Sequence, residues 1–159
     1  MISLKVEDVR LFMNALLRQS VFDSFQVREI KLNTLARFTI SGEVNKAFLS
    51  EEEKEARPDT YLLWQDLKET CFYLIKGKKL PSLFQITLAF PRTAIPSDAD
   101  TPLDQVESFL LNIHFEENIL HLITATSMKT FTMDRSAERY WDGFAVQWLK
   151  DQGIETEQE

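Results

Sequence analysis

The chain has 159 residues, of which 44% are hydrophobic and 27% charged, and its 25 acidic against 18 basic residues give a formal net charge of −7. This composition is typical of one folded globular domain and excludes a disordered chain, which would contain fewer large apolar residues. The negative charge argues against duplex DNA or an anionic membrane surface as a partner, because both repel it unless a local basic patch prevails.

The single cysteine and the first residues bear on the compartment. Cys71 cannot form an internal disulfide and lies within an apolar helical pattern, so we expect a buried thiol in a reducing compartment. The opening residues, MISLKVEDVR, contain no basic stretch followed by an apolar one. No apolar run approaches the roughly 18 residues that a membrane-spanning helix needs. We therefore expect a cytoplasmic protein without a membrane segment.

The first part of the chain predicts one helix and two strands. Apolar residues recur every three or four positions over residues 6–19, which indicates an amphipathic helix. Alternating patterns over residues 24–33 and 34–44 then predict a pair of strands. The parity of the apolar residues changes midway along the first of them, so we expect a β-bulge near Arg28 and Glu29.

The middle of the chain predicts a short exposed helix and then a long buried one. Ser50 followed by Glu53 fits a capping box, and the short helix should end before Pro58. Asp59 is the expected N-cap of the second major helix, and Gly77 stands where such a helix ends. Large apolar residues surround most of this second helix, so it should be heavily buried.

A strand over residues 84–90 leads to a loop and then to the central feature of the sequence. Residues 91–105 contain three prolines and three aspartates without periodicity, which predicts a long loop. The segment Val106–Met133 follows with two runs of β-branched, aromatic and leucine residues around a polar centre. This pattern predicts an antiparallel hairpin with long arms.

Two registers of this hairpin are compatible with the sequence. In the first, His114 lies directly opposite His121, and the large apolar residues share one face while both histidines share the other. In the second, a three-residue loop at residues 116–118 closes on a bulge and pairs Phe115 with Ile119, which puts the histidines on opposite faces. The separation of polar from apolar residues favours the first register.

The last segment predicts a third major helix and completes the expected fold. Asp134 is the expected N-cap of this helix, Gly153 ends it, and the acidic tail 154–159 should fray. Hairpin connections dominate over crossovers. We therefore predict an α+β fold, a mainly antiparallel five-stranded sheet with three major helices packed on one face, in a single domain over residues 1–153.

Several familiar sites are excluded by the residues present. The glycines are too far apart for a phosphate-binding loop, and three cysteine and histidine residues in all are too few for a structural zinc site. Cys71 lies in the buried stripe, which makes it an inert thiol. We predict no catalytic residue, no metal site and no cofactor.

A few residues keep a functional interpretation beside a structural one. Facing histidines can form a metal-binding or pH-sensitive pair, or each can simply bond a neighbour. Four basic residues bracket one strand and suggest a positive patch, but the net charge makes nucleic acid an improbable ligand. The candidate binding residues are His114, His121, Lys76, Lys78, Lys79 and Arg92.

Three segments together resemble a known family. They read YLLWQDLKETCFYLIKGKKLPSLFQITL, FLLNIHFEENILHLITATSMKTFTMDRS and YWDGFAVQWLKDQGI. The chain is similar through these segments to a small family of uncharacterised proteins of clostridia-type Gram-positive bacteria, known as a domain of unknown function. The resemblance implies a bacterial cytoplasmic origin and a single domain, and it carries no activity over to any residue.

The sequence leaves the biochemical function unknown and supports two hypotheses. The first is a non-enzymatic binding or protein-interaction domain, whose free sheet face or edge strand binds a protein partner or a second copy of the chain. The alternative is a small-ligand-binding protein or enzyme with a pocket between the sheet and the helices, closed by the loop 91–105.

Overall fold

The computed structural model describes residues 1–96 and 101–159. Over these two ranges the chain forms one seven-stranded antiparallel sheet and four α-helices. The strands are β1 (Ser3–Val6), β2 (Gln26–Asn33), β3 (Arg37–Ser41), β4 (Leu83–Ala89), β5 (Val106–Glu116), β6 (Ile119–Met128) and β7 (Thr156–Gln158). The helices are α1 (Val9–Leu17), α2 (Glu51–Ala56), α3 (Trp64–Ile75) and α4 (Ser136–Asp151). Residues 97–100, inside the predicted loop 91–105, lie outside the described residues.

The predicted hairpin is the centre of the sheet. Strands β5 and β6 pair along almost their whole length, and His114 lies opposite His121. The connecting residues Glu117 and Asn118 have φ angles of 53° and 63°. Two successive left-handed residues are what a two-residue type I′ turn requires. The register that places both histidines on one face is therefore confirmed.

The prediction of five strands is wrong, because both ends of the chain add a short strand. The order across the sheet is β3-β2-β4-β5-β6-β1-β7. The tail 154–159, expected to fray, instead contains β7, which pairs with β1, and Ile154 just before it is buried. Strands of four and three residues are too short to show an alternating pattern, and their pairing depends on the neighbouring strand. The single domain over residues 1–153 stays a prediction.

The predicted bulge and the predicted short helix are both present. The pairing of β2 with β4 shifts register between Val27 and Glu29, which leaves Arg28 as the extra residue. At the start of α2, the Ser50 hydroxyl accepts a hydrogen bond from the Glu53 amide at 3.1 Å, and the Glu53 carboxylate accepts one from the Ser50 amide at 3.0 Å. This is the reciprocal pair that defines a capping box.

Three helices begin at positions other than those predicted. Helix α1 starts at Val9 rather than at residue 6, because Val6 belongs to β1. Helix α3 starts at Trp64 rather than after Asp59, because the residues between them extend the sheet, with Leu63 bridged to Gln26. Helix α4 has Arg135 as its N-cap residue, one position beyond the expected Asp134. The Asp134 carboxylate still accepts a hydrogen bond from the first amide of the helix at 2.9 Å.

The hydrophobic core lies between one face of the sheet and the three longer helices, α1, α3 and α4. The central hairpin contributes alternate apolar residues to this core, among them Phe109, Leu111, Ile113, Leu120 and Leu122. The indole Nε1 of Trp64 donates to the carbonyl oxygen of Leu16 at 2.7 Å, which joins α3 to the end of α1. From α4, the Trp141 ring packs 5.3 Å from the ring of Phe109, measured between centroids. The other face of the sheet carries half-buried and exposed residues of mixed polarity.

Candidate functional site

The two histidines lie side by side on the face of the sheet away from the core. Each is half-buried and contacts a carboxylate through its Nε2 atom, at 3.1 Å from Glu116 for His114 and at 2.9 Å from Glu159 for His121. An ionised carboxylate accepts hydrogen bonds and donates none, so both Nε2 atoms act as donors. Each histidine therefore has its own acidic neighbour, and the pair is held in place without a ligand.

In the described part of the chain, the two histidines do not belong to a cluster of metal-binding side chains. Within residues 1–96 and 101–159, no group of three or more histidine, cysteine, aspartate or glutamate side chains is arranged to hold a metal ion. The cysteine is also set apart, because it is fully buried on α3, and this burial raises the pKa of the Cys71 thiol to about 12. A thiol that stays protonated is a poor nucleophile and a poor metal ligand.

The predicted basic set is divided between the two ends of β4. Lys76, Lys78 and Lys79 are exposed in the turn before this strand, while Arg92 follows it. Seven residues of strand separate the two groups by about 20 Å. The Arg92 guanidinium donates to the carbonyl oxygen of Leu103 at 3.0 Å, so it holds its own loop. The four basic residues therefore do not form one patch.

A groove of about 750 Å³ lies between α1 and α3. It arises because α1 has more apolar residues than the sheet can cover. The helix buries Phe12, Ala15 and Leu16 completely and leaves other apolar residues half-buried on its flank. The apolar lining consists of Val9, Leu11, Met13 and Leu17 from α1, Phe72 and Ile75 from α3, and Leu80 from the following turn.

The groove deepens at one end into a smaller apolar cavity of about 250 Å³. This cavity reaches the core side of the sheet at Phe84 and the end of the central hairpin at Phe115 and Asn118. Val9, Met13, Ile75 and Leu80 line both spaces. The two therefore form one continuous depression, with a wide shallow part and a narrow deep part.

The rim of this groove carries more positive than negative charge, although the whole chain is acidic. Arg10 and Arg18 are exposed on the α1 side, with Asp8 as the acidic lining residue. The Arg18 guanidinium lies 5.7 Å from the centroid of the Phe72 ring, so it extends over the groove. Lys78 and Lys79 stand immediately before the lining residue Leu80.

The sequence pattern of α1 did not reveal the groove. Val9, Met13 and Leu17 belong to its apolar stripe, and the structure leaves them half-buried, packed against the core and also lining the groove. The signal that could have revealed this is the width of the stripe, which exceeds what one sheet-facing side of a nine-residue helix can bury. The pocket predicted between the sheet and the helices and closed by the loop 91–105 stays a prediction.

These features define an α+β protein with an antiparallel sheet and an exposed apolar groove between two helices. A family of unknown function, DUF5721, matches residues 15–157, and the chain belongs to this family. No curated protein and no solved structure matches the chain. Among the described residues, no helix is both long and apolar enough to cross a membrane.

Proposed function

We propose that this protein is a non-enzymatic, cytoplasmic protein-interaction domain of bacterial origin that binds an acidic amphipathic helix of a partner protein. The observation that carries the proposal is the apolar groove between α1 and α3 with its positively charged rim. Amphipathic helices bind such grooves through apolar residues spaced three or four positions apart. Neither nucleic acid nor a membrane is an expected partner.

The shape of the groove suits a helix with one dominant anchoring residue. The shallow part, lined by Met13 and Leu17, accepts the side chains of successive helical turns. The deep part, closed by Phe84 and Phe115, accepts one large apolar side chain. Anchors of this kind provide much of the affinity at protein interfaces, because they fill a desolvated pocket.

The positive charge of the rim leads us to expect negative charge on the partner helix. Arg10 and Arg18 against Asp8 leave one net positive charge on the lining, and Lys78 and Lys79 add two more beside it. Acidic flanks on the partner helix complement this rim. They would mainly increase the association rate and make it sensitive to salt. Of the basic candidates predicted from the sequence, only these two lysines belong to the proposed interface.

Site-specific crosslinking in the cells that encode the protein tests this proposal. A photoreactive amino acid replaces the groove residue Leu11 in one variant and the exposed sheet residue Thr39 in another. We expect a discrete adduct from position 11 and none from position 39. Adding Leu80→Glu should abolish the adduct, because it puts a negative charge into the apolar lining. Leu35→Glu is the matched control, since Leu35 is exposed in a turn away from the groove.

Several outcomes would contradict the proposal. Equal adducts from both positions would show that the groove has no preference. An adduct that survives Leu80→Glu would show that its apolar lining does not bind the partner. An adduct of twice the mass of the chain would replace the helical partner by a second copy, and sedimentation of the purified protein would then show a dimer.

A further inference from the structure

A second cavity lies at the far end of the sheet from the groove and is organised by Arg28. The bulge in β2 makes Arg28 an extra residue in its strand. Its side chain reaches past β4 to β5, where Nη2 donates to the hydroxyl of Ser108 at 2.9 Å. A second, longer hydrogen bond of 3.3 Å joins Nη2 to the Gln26 side chain.

The planar guanidinium of Arg28 is held in place by its neighbours, and in the described part of the chain some of its N–H donors have no acceptor. Its central carbon lies 3.9 Å from the centroid of the Tyr61 ring, so the tyrosine supports one of its sides. Among the described residues, only Nη2 has hydrogen-bond acceptors, and Nε is buried without one. No carboxylate in this part of the chain forms an ion pair with the guanidinium. A partly buried charge with unused donors is unfavourable unless an acceptor reaches it.

The guanidinium borders a cavity of about 340 Å³, a size within the range of small-molecule sites. Its walls combine apolar surface with a few polar groups. Arg92 and Glu107 supply the other charges, and the Ser127 hydroxyl donates to the Glu107 carboxylate at 3.0 Å. The apolar lining residues are Leu63, Ala89, Phe90 and Pro91.

We infer that this cavity binds a small organic acid with one carboxylate group and an apolar body. The carboxylate accepts hydrogen bonds from Nη1 of Arg28, which has no acceptor among the described residues. The apolar body lies against the wall that contains Phe90 and Pro91. This inference does not depend on the groove between α1 and α3, which is a separate surface.

The charges of the lining residues favour a singly charged ligand. Arg28 and Arg92 contribute two positive charges and Glu107 one negative charge, which leaves a net charge of +1. A carboxylate neutralises this excess. A doubly charged phosphate or phosphonate would leave the cavity with one excess negative charge and would be repelled by Glu107.

Titration of the full chain with three related probes tests this inference. The probes are benzoate, the neutral analogue benzamide and the dianionic phenylphosphonate, and the readouts are calorimetry and the NMR signal of the Arg28 Nε–H group. We expect benzoate to bind, to shift this signal, and to bind at least about tenfold more tightly than either analogue. Equal binding of benzoate and benzamide would overturn the assignment, as would tighter binding of phenylphosphonate or no binding at all.

Two substitutions distinguish recognition by the Arg28 guanidinium from attraction to any positive charge. Arg28→Lys keeps the charge and removes the planar guanidinium with its Nη1 donors, so it should weaken benzoate binding by about tenfold or more. Arg37→Lys, on the exposed edge strand β3, is the matched control and should leave binding unchanged. If Arg28→Lys fails to fold, Glu107→Gln provides the second test. Removing that negative charge should tighten benzoate binding severalfold, and unchanged or weaker binding would overturn the inference.

Discussion

The turn between β5 and β6 offers a direct test of the register on which the centre of the sheet depends. In the structure both Glu117 and Asn118 are left-handed, with φ angles of 53° and 63°. In the rejected three-residue loop, Glu117 would be right-handed, and only Asn118 would have a positive φ. Substituting Glu117 by glycine therefore has opposite effects on stability in the two registers.

The magnitude follows from two opposing contributions at this position. A non-glycine residue in the left-handed region costs about 1–2 kcal/mol, which Glu117→Gly removes. Glycine loses roughly 0.5–1 kcal/mol more backbone entropy on folding than other residues do. The expected net effect is a stabilisation of about 0.5–1 kcal/mol. For a chain of this length, that corresponds to a rise in Tm of roughly 1–4 °C.

Urea denaturation followed by tryptophan fluorescence measures this effect. Glu116→Gly is the matched control, because Glu116 is the last residue of β5, paired with Ile119, and glycine loses more backbone entropy on folding than glutamate does. We expect the free energy of unfolding to rise for Glu117→Gly and to fall for Glu116→Gly. If both substitutions lower it equally, the turn is not the two-residue type, and the pairing of His114 with His121 is wrong.

The remaining predictions concern three other sites. Asp66→Asn should lower the free energy of unfolding by about 1 kcal/mol at neutral pH, since hydrogen bonds from Arg57 hold the pKa of this carboxyl below its ordinary value of 3.8. Gly42→Ala should lower the free energy of unfolding by about 3 kcal/mol, because the new Cβ would lie 1.7 Å from a carbonyl oxygen of β2. Gly143→Ala on α4 is the control: its Cβ would enter open space, so the free energy of unfolding should rise slightly. Cys71, whose thiol pKa is raised to about 12 by burial, should react with a thiol reagent only after unfolding.

The effect of Asp66→Asn should also depend on pH in a defined direction. Because the pKa of Asp66 is lower in the folded than in the unfolded chain, its carboxylate stabilises the protein above the unfolded value and loses this effect as pH falls through the folded one. The difference between wild type and variant should therefore be constant near neutrality and shrink below about pH 3.8. A difference that grows on acidification would contradict this account.

The parts of the fold that were predictable are those with long, strong patterns. The hairpin was recognisable because both arms alternate over about ten residues, and the choice of register followed from polarity. The bulge at Arg28 was detectable as a change of parity within one strand. Its consequence was not, because the guanidinium reaches Ser108 through contacts that no local spacing reveals.

The missed features depend on contacts between distant parts of the chain. Strand β7, with the sequence Thr-Glu-Gln, has no apolar residue and exists only because β1 supplies hydrogen-bond partners. The start of α3 was placed too early because Tyr61 and Leu63 suit a helix by composition, yet Leu63 bridges to Gln26 of β2 and Tyr61 to Glu43. The groove was missed because a helical stripe shows which residues are apolar and not whether another element covers them.

The short strand β7 has a practical consequence for work with this protein. It is the outermost strand on its side of the sheet, and its Glu157 faces outward beside Lys5 of β1. Removing residues 155–159 would uncover the backbone of β1, whose Leu4 and Val6 are buried, and leave an unprotected strand open to pairing with other molecules. Shortened versions should accumulate as aggregates on expression, and affinity tags are better placed where they leave this acidic border intact.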